Sequence, residues 1–385
     1  MSETEVAIVG GGPVGLYLAL VLLHEGITPR VYERRTDPAD GSRSIGVHPP
    51  SIELFDEIGL ASAFLARAVH VRRGLAFGER GAVGDVSFER CPPPHRFVAT
   101  LEQRETEWLL RDALVARAPE ALARGVDVLD AQQGDGRATL TLAGVDGRTE
   151  QHRFAAIVGA DGKRSIVRRA IGASFDGAYY EGEYAMADGP DTTAFGDAAA
   201  VFLTSEGLVE SFPLPNGRRR WVVRRSTDTG GAPSREEIQR TVSSRTSVVL
   251  DASELDAPSA FRAERRLAGS FTEGRIALVG DAAHVVSPIG GQGMNLGWLG
   301  ARSVAEVLTT AMRRGDDPSA ALAADGRRRR AQASVAARRA EMNMWLGRPT
   351  RTPRPRELLV STLLALPTAH LLARAFTMRA LAWGI

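Results

Sequence analysis

The stretch Glu5–Glu33, EVAIVGGGPVGLYLALVLLHEGITPRVYE, decides the fold. Its start, Glu5–Val9, is a short apolar run rich in β-branched residues, the pattern of a parallel strand buried on both faces. Gly10, Gly12 and Gly15 follow in G-x-G-x-x-G spacing, with Pro13 and Val14 between the last two. Leu16–His24 then predicts a helix, and Ile27–Glu33 predicts a second strand that ends in an acid. Gly10 lets the chain turn tightly out of the strand. Gly12 lacks a Cβ, so a pyrophosphate can approach the backbone. Gly15 lets the helix pack close to the sheet. The helix N-terminus adds free N–H groups and a partial positive charge. Glu33 lies about 20 residues past the glycines, where a carboxylate accepts hydrogen bonds from a ribose diol. Arg34 beside it is counted in the same site. Glycines alone are a weak signal, but strand, glycines, helix, strand and acid in this order indicate an ADP-ribose site. An acid at Glu33 disfavours a 2′-phosphate, which leaves NAD or FAD.

The 385 residues are enough for two or three domains with a real core. Hydrophobic residues make up 44% and charged residues 24%, as in globular proteins. The single cysteine, Cys91, excludes an internal disulfide and fits a reducing compartment. The sequence opens directly into a strand pattern, without a basic segment or cleavage site, so a cytoplasmic protein without a secretion signal is expected. No apolar stretch is long and uninterrupted enough to suggest a transmembrane segment. The formal net charge is only +2. The arginine clusters Arg218–Arg220 and Arg327–Arg330 have no interleaved aromatics, so they read as solvated faces and no nucleic-acid partner is expected.

Beyond Glu33, residues Thr36–Pro50 form a loop rich in Gly, Pro, Asp and Ser that could run over the cofactor. Arg43 is its candidate contact, and His48 reads as structural. Ser51–Ile58 predicts a helix capped by Ser51 and stopped by Gly59. Val69–Phe88 predicts a hairpin, Phe97–Leu101 a strand and Gln103–Ala116 a helix. Val126–Ala131 and Ala138–Leu142 look like strands. Phe154–Val158 is another buried strand pattern, and it runs into Gly159-Ala160-Asp161-Gly162-Lys163-Arg164-Ser165. There Asp161 suits a ribityl or ribose hydroxyl. From Phe175 to Leu267 the βα alternation disappears, which predicts a mainly antiparallel domain inserted in the first. Tyr179, Tyr180, Phe202, Phe212 and Trp221 are its candidate substrate-wall residues.

Arg275–Val279 returns to the parallel-strand pattern and leads to Gly280-Asp281, then Pro288, then Gly290-Gly291-Gln292-Gly293-Met294-Asn295 and a long helix, Leu296–Arg313. Asp281 could bind a ribityl hydroxyl. The glycine turn feeding a helix favours negative charge on a ligand, as near N1–C2=O of a reduced flavin. His284 reads as a packed histidine. Ser319–Leu346 and the apolar stretch Arg356–Ile385 are predicted to be helical, with a break at Thr350–Pro355. They read as helices covering the two domains. The sharper alternatives are a substrate lid, a homodimer face or a membrane-surface face.

Taken together, the three turns resemble the class A flavoprotein monooxygenases, the p-hydroxybenzoate-hydroxylase-like family that includes bacterial aromatic polyketide hydroxylases. The resemblance covers roughly Glu5 to Arg313. Gly10–Gly15 with Glu33 is similar to the family's FAD fingerprint, and Arg43 lies where it has a flavin-contacting arginine. Gln103-Arg104-Glu105-Thr106-Glu107 resembles its Q-x-x-T-E helix start, whose glutamine touches the flavin. Ala160–Ser165 resembles its DG motif, although Lys163 stands where a small residue is common. Gly280-Asp281 with Pro288 and Gly290–Asn295 resembles its GD motif and flavin loop, which adds Gly291, Gly293, Met294 and Asn295 to the cofactor set. The family implies tightly bound, non-covalent FAD with NAD(P)H as transient reductant. It also implies O₂, a flavin C4a-hydroperoxide, and hydroxylation of an aromatic or phenolic substrate such as a polyketide or other secondary metabolite.

The expected fold class is α/β. A Rossmann-like FAD-binding domain with a parallel sheet (residues 1–174 and 268–345) would carry an inserted, mainly antiparallel substrate domain (175–267) and a C-terminal helical segment (346–385). Residues 70–96 would pack with the substrate domain. No catalytic residue and no metal ligand is assigned. The alternatives are a FAD-dependent reductase, dehydrogenase or epoxidase acting on an isoprenoid or quinone-like substrate, a halogenase, and a non-catalytic flavin-binding protein. A halogenase would need a lysine beyond the first fingerprint, and the only lysine is Lys163.

Overall fold

A computed structural model describes residues 5–37, 44–134, 136–144, 147–225, 231–366 and 369–379. Its base is a six-stranded sheet in the order Thr272–Glu273, Ile276–Leu278, Ala156–Gly159, Val6–Val9, Pro29–Glu33, Leu122–Arg124. All neighbours are parallel except the edge strand Thr272–Glu273. Val6 pairs with both Ala156 and Pro29, which fixes the central register.

The apolar run Val6–Val9 lacks alternation because both faces are covered. Val6 and Ile8 pack among the helices, including Pro13–His24 and Gln292–Arg314. Ala7 and Val9 face the other way, into a layer with Val128, Leu140 and Phe154 from a three-stranded antiparallel sheet, Asp127–Gly134, Arg137–Ala143 and Thr149–Phe154. Burying each such side chain contributes roughly 1.5–3 kcal/mol. The predicted strand Phe154–Val158 is in fact two. Phe154 ends the antiparallel sheet, and Ala156–Gly159 starts afresh in the parallel one.

The second layer is a seven-stranded sheet in the order Ser259–Phe261, Tyr184–Pro190, Arg218–Arg224, Gly207–Leu214, Ala199–Thr204, Arg73–Gly78, Gly81–Ser87. Only the Ala199–Thr204 and Arg73–Gly78 pair is parallel. The hairpin of residues 73–87 thus extends the inserted sheet. One face of this sheet packs Phe202, Trp221 and Val223 against Ile238 and Val242 of helix Arg235–Thr246. That helix was not anticipated, although Ser234 and Glu237 form its capping pair and Glu237 N–H donates to the Ser234 hydroxyl at 3.1 Å. The helix predicted from Ser51 begins earlier, at Pro49, because proline fits the first helical turn; Ser51 lies buried inside it.

Helix Ser319–Leu346 crosses back over both sheets, and Pro353–Ala365 and Ala369–Phe376 close the described chain. The predicted break Thr350–Pro355 ends sooner, since Pro353 again starts a helix. Arg356 fixes this helix to the inserted sheet. Its buried guanidinium donates to the Leu203 and Thr204 carbonyls at 2.9 Å each. Among the described residues no single helix is long and apolar enough to cross a membrane.

Candidate cofactor and substrate site

The first turn is built by sterics. Gly10 has φ +108°, and a Cβ there would lie 2.4 Å from the Ala160 carbonyl oxygen. A Cβ on Gly15 would lie 2.0 Å from the Gly10 oxygen. These two glycines hold the turn closed. Gly12 is different. Its φ is an ordinary −77°, and an added Cβ would meet nothing within 4 Å. The open space belongs to a cavity lined by Gly10, Gly12, Pro13 and Val14. Pro13 opens the helix, and its carbonyl accepts from Trp298 Nε1 at 3.0 Å, which ties the turn to the long helix.

Glu33 ends its strand in the same cavity and is 7% exposed. Its Oε2 accepts from Gly11 N–H at 2.7 Å, and its Oε1 accepts from Arg35 N–H and Nε at 3.0 Å each. Burial pushes the carboxyl up, but the hydrogen bonds from Arg35 and Gly11 outweigh it and hold Glu33 below its ordinary value. The carboxylate is thus ionised at neutral pH. Oε2, which accepts only the Gly11 N–H bond, keeps a further acceptor direction for a diol. Arg34 lines the groove next to it.

Asp161 divides its work. Oδ2 accepts from Ile166 and Val167 N–H at 2.6 and 3.3 Å, capping the short helix Ile166–Ala170. Oδ1 is buried with no protein partner, and burial raises the carboxyl. Buried polar atoms are seldom left unpaired, so an orphaned acceptor lining an open groove suits a hydroxyl of a bound group. Arg168, which sequence reasoning passed over, locks this turn to the next. Its guanidinium donates to the Lys163 and Ala282 carbonyls at 2.8 and 2.9 Å and lies 3.7 Å from the Phe175 ring centre.

In the third turn Gly280 has φ +58° and packs on Val14, while Asp281 lines the cavity. Pro288, Gly291, Gly293 and Met294 line it further along. Gly291, at φ +65°, caps helix Gln292–Arg314. The first N–H groups of that helix, those of Gln292, Gly293 and Met294, have no intrahelical acceptor and carry the positive end of its dipole. Asn295 is placed otherwise than expected. Its side chain is fully buried and does not line the cavity. Oδ1 accepts from His48 N–H, and Nδ2 donates to the Gly46 and Gly291 carbonyls, all at 2.8 Å. Asn295 therefore clamps the 44–48 segment to the glycine turn.

Gln103 also lines the cavity; its N–H donates to Ser44 O at 3.1 Å and its Oε1 accepts from Ser44 N–H at 3.4 Å. Arg43 lies outside the described residues. His48 lines the cavity beside Gly290 and Gly291, and burial lowers it to about 4, so its ring is neutral. His284 is likewise buried and lowered to about 4, by desolvation and then by Arg329, and it packs near Phe271.

These residues fit FAD. An acid, an open glycine face, an orphaned carboxylate oxygen and a bare helix N-terminus follow one another along a single cavity of about 880 Å³. The cavity continues onto the inserted sheet, where Leu208, Glu210, Phe212, Arg220, Val222 and Met186 form a wall. Of the five expected wall aromatics, only Phe212 is there. Strand alternation puts Phe202 and Trp221 on the opposite face, against helix Arg235–Thr246. Tyr179 belongs to a different sheet and is 47% exposed, and Tyr180 follows it there. Arg220 meets Asp188 through two hydrogen bonds of 2.7 Å within this wall.

Residues 3–340 match the FAD binding domain family. The chain is 33% identical over 327 residues to 6-methylpretetramide 4-monooxygenase of Streptomyces rimosus, covering 80% of this chain and 56% of that protein. It is 32% identical over 308 residues to pentachlorophenol 4-monooxygenase of Sphingobium chlorophenolicum, covering 77% and 56%. It thus spans little more than half the length of these curated relatives. Its fold is similar to the crystal structure of p-nitrophenol 4-monooxygenase PnpA from Pseudomonas putida DLL-E4, with TM-score 0.88 and 23% identity over 99% of both chains. The chain belongs to the FAD binding domain family and has the class A flavin monooxygenase fold.

Proposed function

We propose that this protein is a FAD-dependent monooxygenase that uses NAD(P)H and O₂ to hydroxylate an aromatic, phenol-like substrate. The observation that carries the reading is the continuity of the cavity. It runs from Glu33, past Gly12 and the 288–294 turn, to an apolar wall on the inserted sheet. A cofactor held along the first part would end beside a substrate held in the second. Bound FAD would take up electrons from NAD(P)H and activate O₂ for transfer to the ring.

The chain's own residues do the rest. Gly12, Pro13 and Val14 leave room for a diphosphate at the helix N-terminus. Glu33 would accept from a ribose, and Asp161 and Asp281 from other hydroxyls of the cofactor. The N–H groups of Gln292, Gly293 and Met294 favour negative charge at the ring end. Val222, Met186, Leu208 and Phe212 exclude water from the reacting ring. The names of the relatives, which act on pentachlorophenol and on 6-methylpretetramide, support an aromatic substrate.

Residues 1–174 with 268–345 would form the FAD-binding domain, 175–267 the substrate domain, and 346–385 a helical cover. A cytoplasmic location is part of this proposal; among the described residues no single helix is long and apolar enough to cross a membrane. Self-association through the C-terminal helices would give a homodimer. The decisive experiment is turnover of a hydroxyarene panel under ¹⁸O₂. Product carrying one labelled atom, formed with consumption of NAD(P)H, is expected; unlabelled product would overturn the proposal.

A further inference from the structure

Among the described residues, the inserted-sheet wall of the cavity holds a buried carboxyl without a hydrogen-bond or ion-pair partner, that of Glu210. Val201, Glu210, Val222, Met186 and Ser259 stand in register across five strands of the inserted sheet. Glu210 is the acid in an otherwise apolar stretch of this row, and Val201, Val222 and Met186 line the same cavity. It is 5% exposed, and among the described residues its carboxyl makes no hydrogen bond or ion pair. Burial alone pushes it up to about 8.

Most of the groups around it are engaged elsewhere; the exception is Arg224, whose buried Nε has no hydrogen-bond partner among the described residues. Arg220 on the neighbouring strand holds Asp188. Arg224 and Tyr184 face each other in the next register, and the Tyr184 hydroxyl points to Met344 Sδ at 3.9 Å. Glu264 holds Lys163 and Arg266 at 3.0 and 2.8 Å. His70, on a strand that packs against this one, is stacked on Phe97. Arg356 binds the carbonyls of Leu203 and Thr204, and across the cavity His48 is neutral. Burying an unpaired carboxyl is costly, and a structural role would have brought it a partner. An acid kept in an apolar ligand wall is suited to a partner that arrives with the ligand.

We propose that Glu210 is the residue of this cavity that docks the ring hydroxyl of the phenol-like substrate and accepts its proton. This rests on the monooxygenase reading above. The substrate O–H bond breaks as an O–H bond forms on Glu210, and the electron pair stays on the ring oxygen. That pair enriches the ortho and para carbons, where oxygen transfer needs it. After transfer Glu210 returns the proton to the product's oxygen. The ionised form of Glu210 does this work, so turnover rises through the carboxyl's own ionisation near pH 8. Ring carboxylates are repelled by the same group.

The test compares FAD-loaded wild type, Glu210→Gln and Glu210→Asp, with the exposed Glu206→Gln as control. Binding and turnover are measured with phenol, p-nitrophenol and 2-naphthol against their methyl ethers and benzoate, from pH 6 to 9.5. Wild type should prefer hydroxyarenes by about 10–100-fold, the worth of one hydrogen bond to an ionised carboxylate. Glu210→Gln should lose both the preference and the alkaline rise in kcat while keeping its FAD content and melting no lower than wild type, because it removes a carboxyl whose burial costs stability as pH rises above 4.5. Glu210→Asp should recover part of each. Infrared spectra give a readout apart from activity. A protonated carboxyl band at pH 7, absent in Glu210→Gln, should fade above pH 8 and shift when phenol binds.

A preference or a pH rise that survives Glu210→Gln would overturn the inference. So would hydroxyarenes that bind no better than their ethers, or that fail to bind at all. If labelled oxygen enters only substrates without a hydroxyl, this inference fails together with the phenol-like substrate of the reading above, and FAD-dependent oxygen transfer itself stands. If no product of any substrate carries the label, that reading fails, and the binding and infrared results still decide the role of Glu210.

Discussion

Gly12→Ala and Gly15→Ala lie three residues apart and should separate cofactor binding from folding. Gly12 has φ −77° and open space where a Cβ would go. Replacing a glycine N-cap by alanine costs a few tenths to about 1 kcal/mol. With 385 residues and about 2.1 cal/mol/K of unfolding entropy per residue, the melting temperature moves by about 1 °C per 0.8 kcal/mol. The apoprotein should therefore melt within a degree or two of wild type. The new methyl occupies the space of an approaching diphosphate, however. Losing two charge-assisted N–H bonds, at about 1.5–3 kcal/mol each, weakens FAD by about 10²–10⁴-fold.

In Gly15→Ala the methyl would sit 2.0 Å from the Gly10 oxygen, with the Ala160 Cβ at 3.3 Å. Only movement of the turn itself relieves that overlap, so this variant should lose several degrees of stability and FAD together. Flavin-fluorescence titration of apoprotein gives the affinity, and thermal melts of the same samples give the stability. If Gly12→Ala bound FAD within threefold of wild type, or melted as low as Gly15→Ala, the open face at Gly12 would not be the diphosphate site.

Asn295→Ala should lower unfolding stability by about 3–5 kcal/mol, because it orphans His48 N–H and the Gly46 and Gly291 carbonyls in a buried place. An unchanged denaturant midpoint would show that the clamp contributes nothing. The pH dependence has a definite sign. His48 and His284 are each lowered from 6.5 to about 4, so protons favour the unfolded chain; their contribution is complete above pH 6.5 and is lost as pH falls toward 4. Each gives a slope of up to about 1.4 kcal/mol per pH unit, so subtracting the His284→Gln curve from wild type should reveal one such slope, and a flat difference would mean that His284 is not held neutral. Glu210, raised to about 8, has the reverse sign and stabilises most below pH 4.5, which makes the wild-type curve shallower than the histidines alone would give.

How far the sequence carried depends on whether each signal was local. The first βαβ unit was legible because every constraint lies within Glu5–Glu33: an unalternating apolar run for a strand covered twice, glycines where Cβ atoms collide, and an acid at the strand end. The DG and GD turns were legible for the same reason, since each follows a short parallel strand. Asn295 was visible as a residue but not in its role. It stands in a cofactor-like motif, yet its three partners are two loops, one of them some 250 residues away, and only the folded chain shows that its side chain is already engaged.

The inserted sheet defeated reading by residue type. Trp221 and Phe202 looked like substrate walls because they are large and aromatic, but the two-residue period of a strand decides which face they take. The neighbours Arg220 and Val222 occupy the cavity face and push Trp221 to the helix side. The same period, once the register is known, brings Glu210 into the apolar row between Val201 and Val222. A glutamate between Val209 and Ser211 looks like a solvent-facing position of an amphipathic strand. Because this strand is central and both faces of its sheet are covered, the polar side chain is buried instead. The most informative acid in the substrate wall is therefore one whose local sequence suggests exposure, and its significance comes from the layer that closes over it.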